Sequence, residues 1–301
     1  IATAAISMGM LGASPASAKT LVFCSEGSPG GFNPSLHSAG TDFDASAQPI
    51  YNRLVEFEPG TTKVVPGLAE SWSATPDGLS YTFKLRKGVK WHSNKNFTPT
   101  RDFNADDVLF SFNRQWKEDH PYNGVSGGKY LYFGWMDMGT ALASIDKIDD
   151  YTVKITLNSP DAPFVSNLAM DFASILSAEY ADKMASGDKE RVDNDPIGTG
   201  PFEFVSYKKD AFVRFKAFDQ YWEGKPKIDK LVFAITVDAQ VRYQKLKAGE
   251  CHIMPYPNPA DIASMKKDKD INLLSQEGLN VGYIAFNAER APFDDVRVRR
   301  A

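Results

Sequence analysis

Cysteine, histidine and surplus positive charge are all scarce in this 301-residue chain. Its two cysteines have no C-x-x-C partner. Its four histidines, His37, His92, His120 and His252, form neither an H-x-x-x-H pair nor a cluster with carboxylates. That composition argues against a zinc site and gives no metal ligand set. Asp102, Asp106 and Asp107 lack the spacing and the glycine of a calcium loop. Lys and Arg (34) fall short of Asp and Glu (38), a net charge of −4, so nucleic acid is not an expected partner. There is no internal repeat, low-complexity segment or long linker. What is present is 43% apolar, 12% aromatic and 24% charged residues, enough for a large core. At roughly 100–200 residues per domain, the length suggests about two domains.

The two ends stand apart from the rest. Residues 1–18 carry no charge, are small and apolar, and close on Ala16-Ser17-Ala18, the small-x-small pattern of a signal-peptidase site. They are too short and too rich in Gly and Ser to span a bilayer. We read them as part of a signal peptide cleaved after Ala18, which sends the mature chain, from Lys19, to the periplasm. No lipid-attachment cysteine follows the cleavage point, since Lys19 comes next. At the other end, Phe293 to Ala301 stops where a capped amphipathic helix would begin, so the chain reads as a fragment at both ends. In an oxidising compartment Cys24 and Cys251 are candidates for a disulfide, a pairing that the residues alone leave open.

Strand and helix signals interleave, which means α/β or α+β. Thr20 to Cys24 reads as a buried strand, and Ser25 to Gly40 as loop. A helix is expected to end in Ile50, Tyr51, Leu54 and Val55, started either by Thr41 with Asp44 as a capping pair or by Pro49 in its first turn. Tyr81 to Leu85 and Tyr151 to Leu157 alternate as strands. Asn104 with Asp107 caps a helix carrying Val108, Leu109, Phe112 and Trp116 on one face. Phe202–Val205 and Phe212–Phe215 suggest a hairpin turning at Lys208-Lys209-Asp210. Leu231 to Ile235 is a nearly continuous apolar strand. Asn258 to Asp261 opens a helix with Ile262 and Met265, and Val281 to Phe286 reads as a further strand.

Catalytic motifs are weak. Gly124-Val125-Ser126-Gly127-Gly128 matches the G-x-S-x-G nucleophile elbow, but the polar, Pro-containing residues before it are not the strand that motif needs. A secreted serine hydrolase using Ser126 is the alternative of another class. Gly124 to Lys129 is one residue short of a phosphate-binding loop and lacks its Ser/Thr. Aromatic residues gather instead near glycine-rich loops: Tyr130, Tyr132, Phe133 and Trp135 after Gly127-Gly128, and the small residues Ser38-Ala39-Gly40-Thr41 after the first strand. Either group suits a pocket for a small amphipathic ligand or ordinary packing.

A series of longer motifs runs in order through the chain: Lys19-Thr20-Leu21-Val22-Phe23-Cys24-Ser25-Glu26-Gly27, Tyr51-Asn52-Arg53-Leu54-Val55-Glu56-Phe57, Pro66-Gly67-Leu68-Ala69-Glu70-Ser71-Trp72, Tyr81 to His92, Asp195-Pro196-Ile197-Gly198-Thr199-Gly200-Pro201 and Met254-Pro255-Tyr256-Pro257. From Lys19 to Ala301 the sequence resembles the extracytoplasmic solute-binding proteins of ABC importers for peptides and nickel, most of all their periplasmic dipeptide-binding members. The resemblance implies an α/β, two-lobed periplasmic binding protein of the large, three-subdomain type II form, present here as lobe I and the start of lobe II. Residues 19–50 and 198–279 would form the sheet subdomain of lobe I, 51–197 its inserted subdomain, and 280–301 the beginning of lobe II.

It further implies a Cys24–Cys251 bridge and a ligand-contacting loop at Ser38, Ala39, Gly40 and Thr41, with Tyr130 as a weaker candidate for a pocket wall. Small residues in such a loop let backbone groups approach an extended peptide whatever its side chains. The implied function is capture of dipeptides by lobe closure and delivery to the membrane permease of the importer, with no covalent chemistry, metal or cofactor, by a monomer. The same fold carrying an oligopeptide, nickel or haem is the rival. The aspartate and arginine that such proteins use for the peptide's two termini would lie beyond Ala301, so the chain alone is expected to bind dipeptides weakly or not at all.

Overall fold

The computed structural model describes residues 18–275 and 282–301. The architecture is mixed α/β, and the chain divides into units 1–259 and 260–301. In the larger unit, strand β1 (Thr20–Ser25) comes first, and β2 (Val55–Phe57) and β3 (Val64–Pro66) pair as a small ribbon. Strands β4 (Ala69–Ala74), β5 (Ser80–Leu85), β6 (Leu142–Asp149) and β7 (Thr152–Leu157) form an antiparallel sheet in the order β4-β5-β7-β6. Strands β8 (Phe202–Lys208), β9 (Phe212–Ala217) and β10 (Lys230–Ile235) join β1 in a second sheet ordered β1-β10-β9-β8, in which β1 and β10 run parallel.

Local sequence accounts for several of these elements. In β7 the alternation buries Val153, Ile155 and Leu157, the period-2 face of a half-covered strand. The expected hairpin forms between β8 and β9, with Asp210 at φ 59°, a left-handed position that aspartate tolerates better than most residues. Helix α1 spans Gly40–Ala45 and α2 spans Ala105–Trp116. In α2 the Asn104 side chain accepts from the Asp106 amide (2.9 Å), and the Asn104 amide donates to Asp107 (3.0 Å), the reciprocal cap read from the sequence. Val108 and Phe112 are buried beneath it with Phe83, Phe164 and Phe172 in a continuous core.

Two readings change. The apolar residues Ile50, Tyr51 and Leu54 are not helical, and Val55 opens β2. Helix α1 ends at Ala45, and Ile50, Tyr51 and Leu54 are buried in irregular backbone that pairs with a distant segment. There the chain passes alongside its own later stretch: the Gly200 amide donates to Ile50 O (2.8 Å), the Phe202 amide to Pro49 O (2.9 Å), and the Thr199 hydroxyl to Asn52 Oδ1 (3.0 Å). Glycine is needed at this crossing, because a Cβ on Gly198 would stand 1.8 Å from Ile50 O. His92, fully buried, joins it: its Nδ1 accepts from the Gly198 amide (3.3 Å) and its Nε2 lies 2.8 Å from Gly200 O.

In the smaller unit, short helices cover Ile262–Met265 and Val296–Arg300. The strand expected from Val281 begins on a residue outside the described ones. Gly282 to Phe286 forms no strand, and Tyr283 and Ile284 are exposed. Among the described residues no neighbouring strand pairs with this stretch, and a strand is stable only when its backbone groups are paired.

Candidate functional site

The segment Ser38–Thr41 follows a tightly held turn. Buried Asn33 accepts from the Ser35 amide (3.0 Å) and hydroxyl (2.8 Å) through Oδ1, capping a short turn of helix over Pro34–Leu36. The preceding loop folds over His37 so closely that a Cβ on Gly31 would sit 2.2 Å from His37 Nε2. On the far side the cap of α1 is made by Asp42, not by Thr41 with Asp44. Its carboxylate accepts from the Ala39 amide (3.2 Å) and from the Gly30 amide (2.6 Å). Ala39 carries no side-chain oxygen, so the residue three positions on supplies the capping group. Ser28 and Pro29 are fixed in turn to the β8–β9 hairpin, through the Ser28 hydroxyl to Asp210 (2.8 Å) and the Tyr207 hydroxyl to Pro29 O (2.8 Å).

On this rigid base Ser38, Ala39 and Gly40 are exposed, with Thr41 half-buried behind them. Gly40 is helical, and nothing lies within 4 Å of the place a Cβ would occupy. Neither local conformation nor packing within the chain therefore requires glycine there.

A cavity of about 380 Å³ opens beside α1, between Phe43, Arg53, Tyr132, Met170 and Asp171. The rings of Phe43 and Tyr132 meet edge to face at 5.7 Å, and Tyr132 meets Trp135 at 5.0 Å. Trp135 is exposed. Tyr130 is not among the cavity's lining residues. It is half-buried, and its hydroxyl accepts from Arg114 Nε (3.1 Å) and donates to Asn123 O (2.9 Å).

The floor of the cavity is charged. Arg53 pairs with Glu56 through Nε (2.6 Å) and Nη2, and with Asp171 through Nη1 (3.2 Å). Burial raises the carboxyl pKa of both acids, and Arg53 opposes it. Asp44, one turn along α1, is raised to about 6, first by burial and then by the charges of Glu26 and Asp171. Glu26 has one buried carboxylate oxygen without a hydrogen-bond partner. The region offers apolar walls over a floor of paired charges, suited to a small amphipathic ligand.

The nucleophile-elbow reading has no geometric support. Ser126 lies in the turn Val125–Gly127 with a left-handed, non-helical backbone, and its hydroxyl donates to Asp193 Oδ2 (2.7 Å), a carboxylate rather than a general-base histidine. Among the described residues no group of three His, Cys, Asp or Glu side chains could hold a metal ion. Cys24 and Cys251 form a disulfide with Cα atoms 5.8 Å apart. The bridge is reinforced by Cys24 N to Ile253 O (2.9 Å) and His252 N to Val22 O (2.8 Å).

Sequence reasoning missed the cavity and the Arg53 cluster behind it, although Arg53 and Glu56 stand at the i, i+3 spacing of an ion pair. It also missed Asp193, whose partners Asn33 and Arg114 are 160 and 79 residues away. No local signal marks such a residue.

The family model of the bacterial extracellular solute-binding proteins, family 5 (middle), matches residues 63–301. The chain is 59% identical to the dipeptide-binding protein of Escherichia coli K12, over 98% of this chain and 55% of that protein. It is 54% identical to heme-binding protein A of Haemophilus influenzae, over 96% of this chain and 53% of that one. Among solved structures, the dipeptide-binding protein from Pseudoalteromonas sp. SM9913 in complex with Met-Leu superposes with a TM-score of 0.89 at 38% identity, covering 94% of this chain and 56% of that one. The chain thus spans about half the length of the curated relatives it matches. With its mixed α/β architecture, it belongs to the family 5 bacterial extracellular solute-binding proteins.

Proposed function

We propose that this chain is the peptide-gripping part of the solute-binding component of an ABC importer, which captures dipeptides outside the cytoplasmic membrane by lobe closure and passes them to the permease. The observation that carries the reading is the anchored, exposed Ser38–Thr41 segment, open around Gly40. A peptide backbone can lie against it and exchange hydrogen bonds with main-chain groups, which reads no side chain. The adjoining cavity then accommodates a ligand side chain, with Tyr132 rather than Tyr130 as its wall. Dipeptides are favoured because the relatives named for dipeptides include one at 59% identity and one solved with Met-Leu.

In the same reading, 19–50 and 198–279 make one subdomain, which the parallel pairing of β1 with β10 supports as far as Ile235. Residues 51–197 are inserted between them, and 280–301 begin the second lobe. Export with cleavage after Ala18 is supported by the disulfide, which suits an oxidising compartment. It is supported also by the Lys19 backbone nitrogen, 2.8 Å from Asp229 Oδ2, where cleavage would leave an α-ammonium facing a carboxylate. The protein acts as a monomer and performs no covalent chemistry.

Titration calorimetry on the full-length protein tests this. Ala-Ala should bind with a 1:1 stoichiometry and free alanine should not. Absence of dipeptide binding would sink the proposal. Haem is the second reading, favoured by the relative named for haem at 54% identity. Tight haem binding that dipeptides do not displace would favour it.

A further inference from the structure

We propose that Asp193 is a buried anchor that fixes both predicted ligand-contacting segments relative to one another, with Asn33 and Ser126 as the positioning residues through which it acts. This rests on the reading given above, in which Ser38–Thr41 meets the peptide backbone and Tyr132, two residues after Tyr130, walls the cavity. Asp193 is 3% exposed, and its two oxygens accept four bonds from three separate stretches of chain. Arg114, itself fully buried, grips both oxygens at 2.8 and 2.7 Å. Such a bidentate, charge-assisted pair is strong and directional, and a buried pair of this kind tolerates little displacement.

From this pair one arm runs to each segment. Asn33 Nδ2 donates to Asp193 Oδ1 (2.7 Å), while Asn33 Oδ1 caps the turn that delivers Ser38 to Thr41. The second arm runs to the glycine-rich loop before Tyr130. The Ser126 hydroxyl donates to Asp193 Oδ2 (2.7 Å), Arg114 Nε reaches the Tyr130 hydroxyl (3.1 Å), and Asn123 Nδ2 donates to Arg114 O (3.0 Å).

Ser126 holds a left-handed backbone, φ 55°, which a residue with a Cβ adopts only at a cost. Its neighbours Gly127 and Gly128 also have positive φ, so the loop has other conformations available. The hydroxyl bond to Asp193 selects this one. The serine of the apparent catalytic motif thereby acquires a mechanical role: it ties a permissive loop to a rigid buried charge. Because the segment carrying Gly40 and the loop that leads through Tyr130 to the cavity wall at Tyr132 hang from the same carboxylate, the site is preorganised before ligand arrives, which lowers the ordering cost of binding.

The test uses the full-length protein and the variants Ser126→Ala, Ser126→Gly and Asn33→Ala, read by calorimetry with Ala-Ala and by amide hydrogen exchange. Each substitution is expected to weaken Ala-Ala binding by about five- to tenfold. The double variant Asn33→Ala/Ser126→Ala should lose less than the product of the two, since both act on one anchor. Exchange should rise at 124–131 for the Ser126 variants and at 36–42 for Asn33→Ala, with Tm within about 2 °C for the exposed Ser126. Glycine at 126 removes the strain along with the hydroxyl, so equal losses for Ala and Gly implicate the hydrogen bond. Wild-type affinity in both Ser126 variants, or exchange rising evenly over the whole unit, would overturn the proposal. If the parent binds no dipeptide, the reading of the segments as ligand contacts fails, while the exchange pattern still decides whether Asp193 holds them. If Asn33→Ala does not fold, the two Ser126 variants decide alone.

Discussion

Acid should destabilise this protein through His92, and the size of the effect follows from its surroundings. The ring is fully buried, and its Nδ1 accepts the Gly198 amide, so the other nitrogen carries the proton donated to Gly200 O. A proton added at Nδ1 would face an N–H instead of a lone pair. Burial, the larger cause, pushes the His92 pKa down from 6.5 to about 4, against the favourable bond to Gly200 O and with a small contribution from Lys216.

The unfolded chain therefore takes up a proton near pH 6.5 that the folded chain refuses until about pH 4. Stability contributed by this group is complete above pH 6.5 and falls as pH drops through that window. At ~1.4 kcal/mol per pKa unit, the loss by pH 4 is roughly 3 kcal/mol. Asp44 works the other way, because its raised pKa means the folded state holds its proton more tightly between about 3.8 and 6. Urea unfolding at pH 7, 6, 5 and 4, on the wild type and on His92→Gln, separates the two. The variant should be weaker at pH 7 by about 1–3 kcal/mol, and its stability should decline less on acidification by roughly 3 kcal/mol. Parallel pH profiles for the two proteins would show that His92 is not held neutral by its burial.

Other perturbations have equally definite outcomes. Asp44→Asn should raise stability at pH 7 by about 1 kcal/mol after allowance for solvent screening, with no gain below pH 4, measured by the same urea series. Reducing Cys24–Cys251, which closes 227 residues, should cost up to about 5 kcal/mol in the chain-entropy model. The urea midpoint should fall by on the order of 1 M, and an unchanged midpoint after verified reduction would refute it. Gly40→Leu in the full-length protein should weaken dipeptide binding by about tenfold or more through steric exclusion while leaving Tm unmoved, since the position is open in the fold. Asn104→Ala should cost about 1 kcal/mol in thermal or urea unfolding by uncapping α2.

What the sequence made legible was whatever its neighbours decide. The cap of α2 depends on Asn104 and Asp107, three residues apart, and the faces of β7 depend on simple alternation, so both could be read directly. Helix α1 was misplaced because its cap begins at Ala39, which has no side-chain oxygen, and because the spacing of Ile50, Tyr51 and Leu54 imitates a helical face. Those residues are buried by a segment 150 positions later, at Gly198 and Gly200, a contact that periodicity cannot register. The stretch Gly282 to Phe286 has strand-like composition, but strand pairing depends on a partner and not on composition. Within the proposed site, the loop at Ser38–Thr41 came from the motif resemblance. Its physical support, the Asn33 cap and Asp42 bridging Ala39 and Gly30, arises only once the chain is folded. Asp193 was invisible for the same reason, since a carboxylate acquires its meaning from donors that sequence distance conceals.

The crossing of Ile50 with Gly198 and Gly200 has a consequence for how such a chain can vary. Everything between those points departs and returns through a single doorway. A block tethered this way can grow, shrink or be replaced without rethreading the strands outside it, because its ends already meet and closing them adds little entropy cost for extra length. The doorway itself admits no elaboration: a single methyl group on Gly198 would jam it.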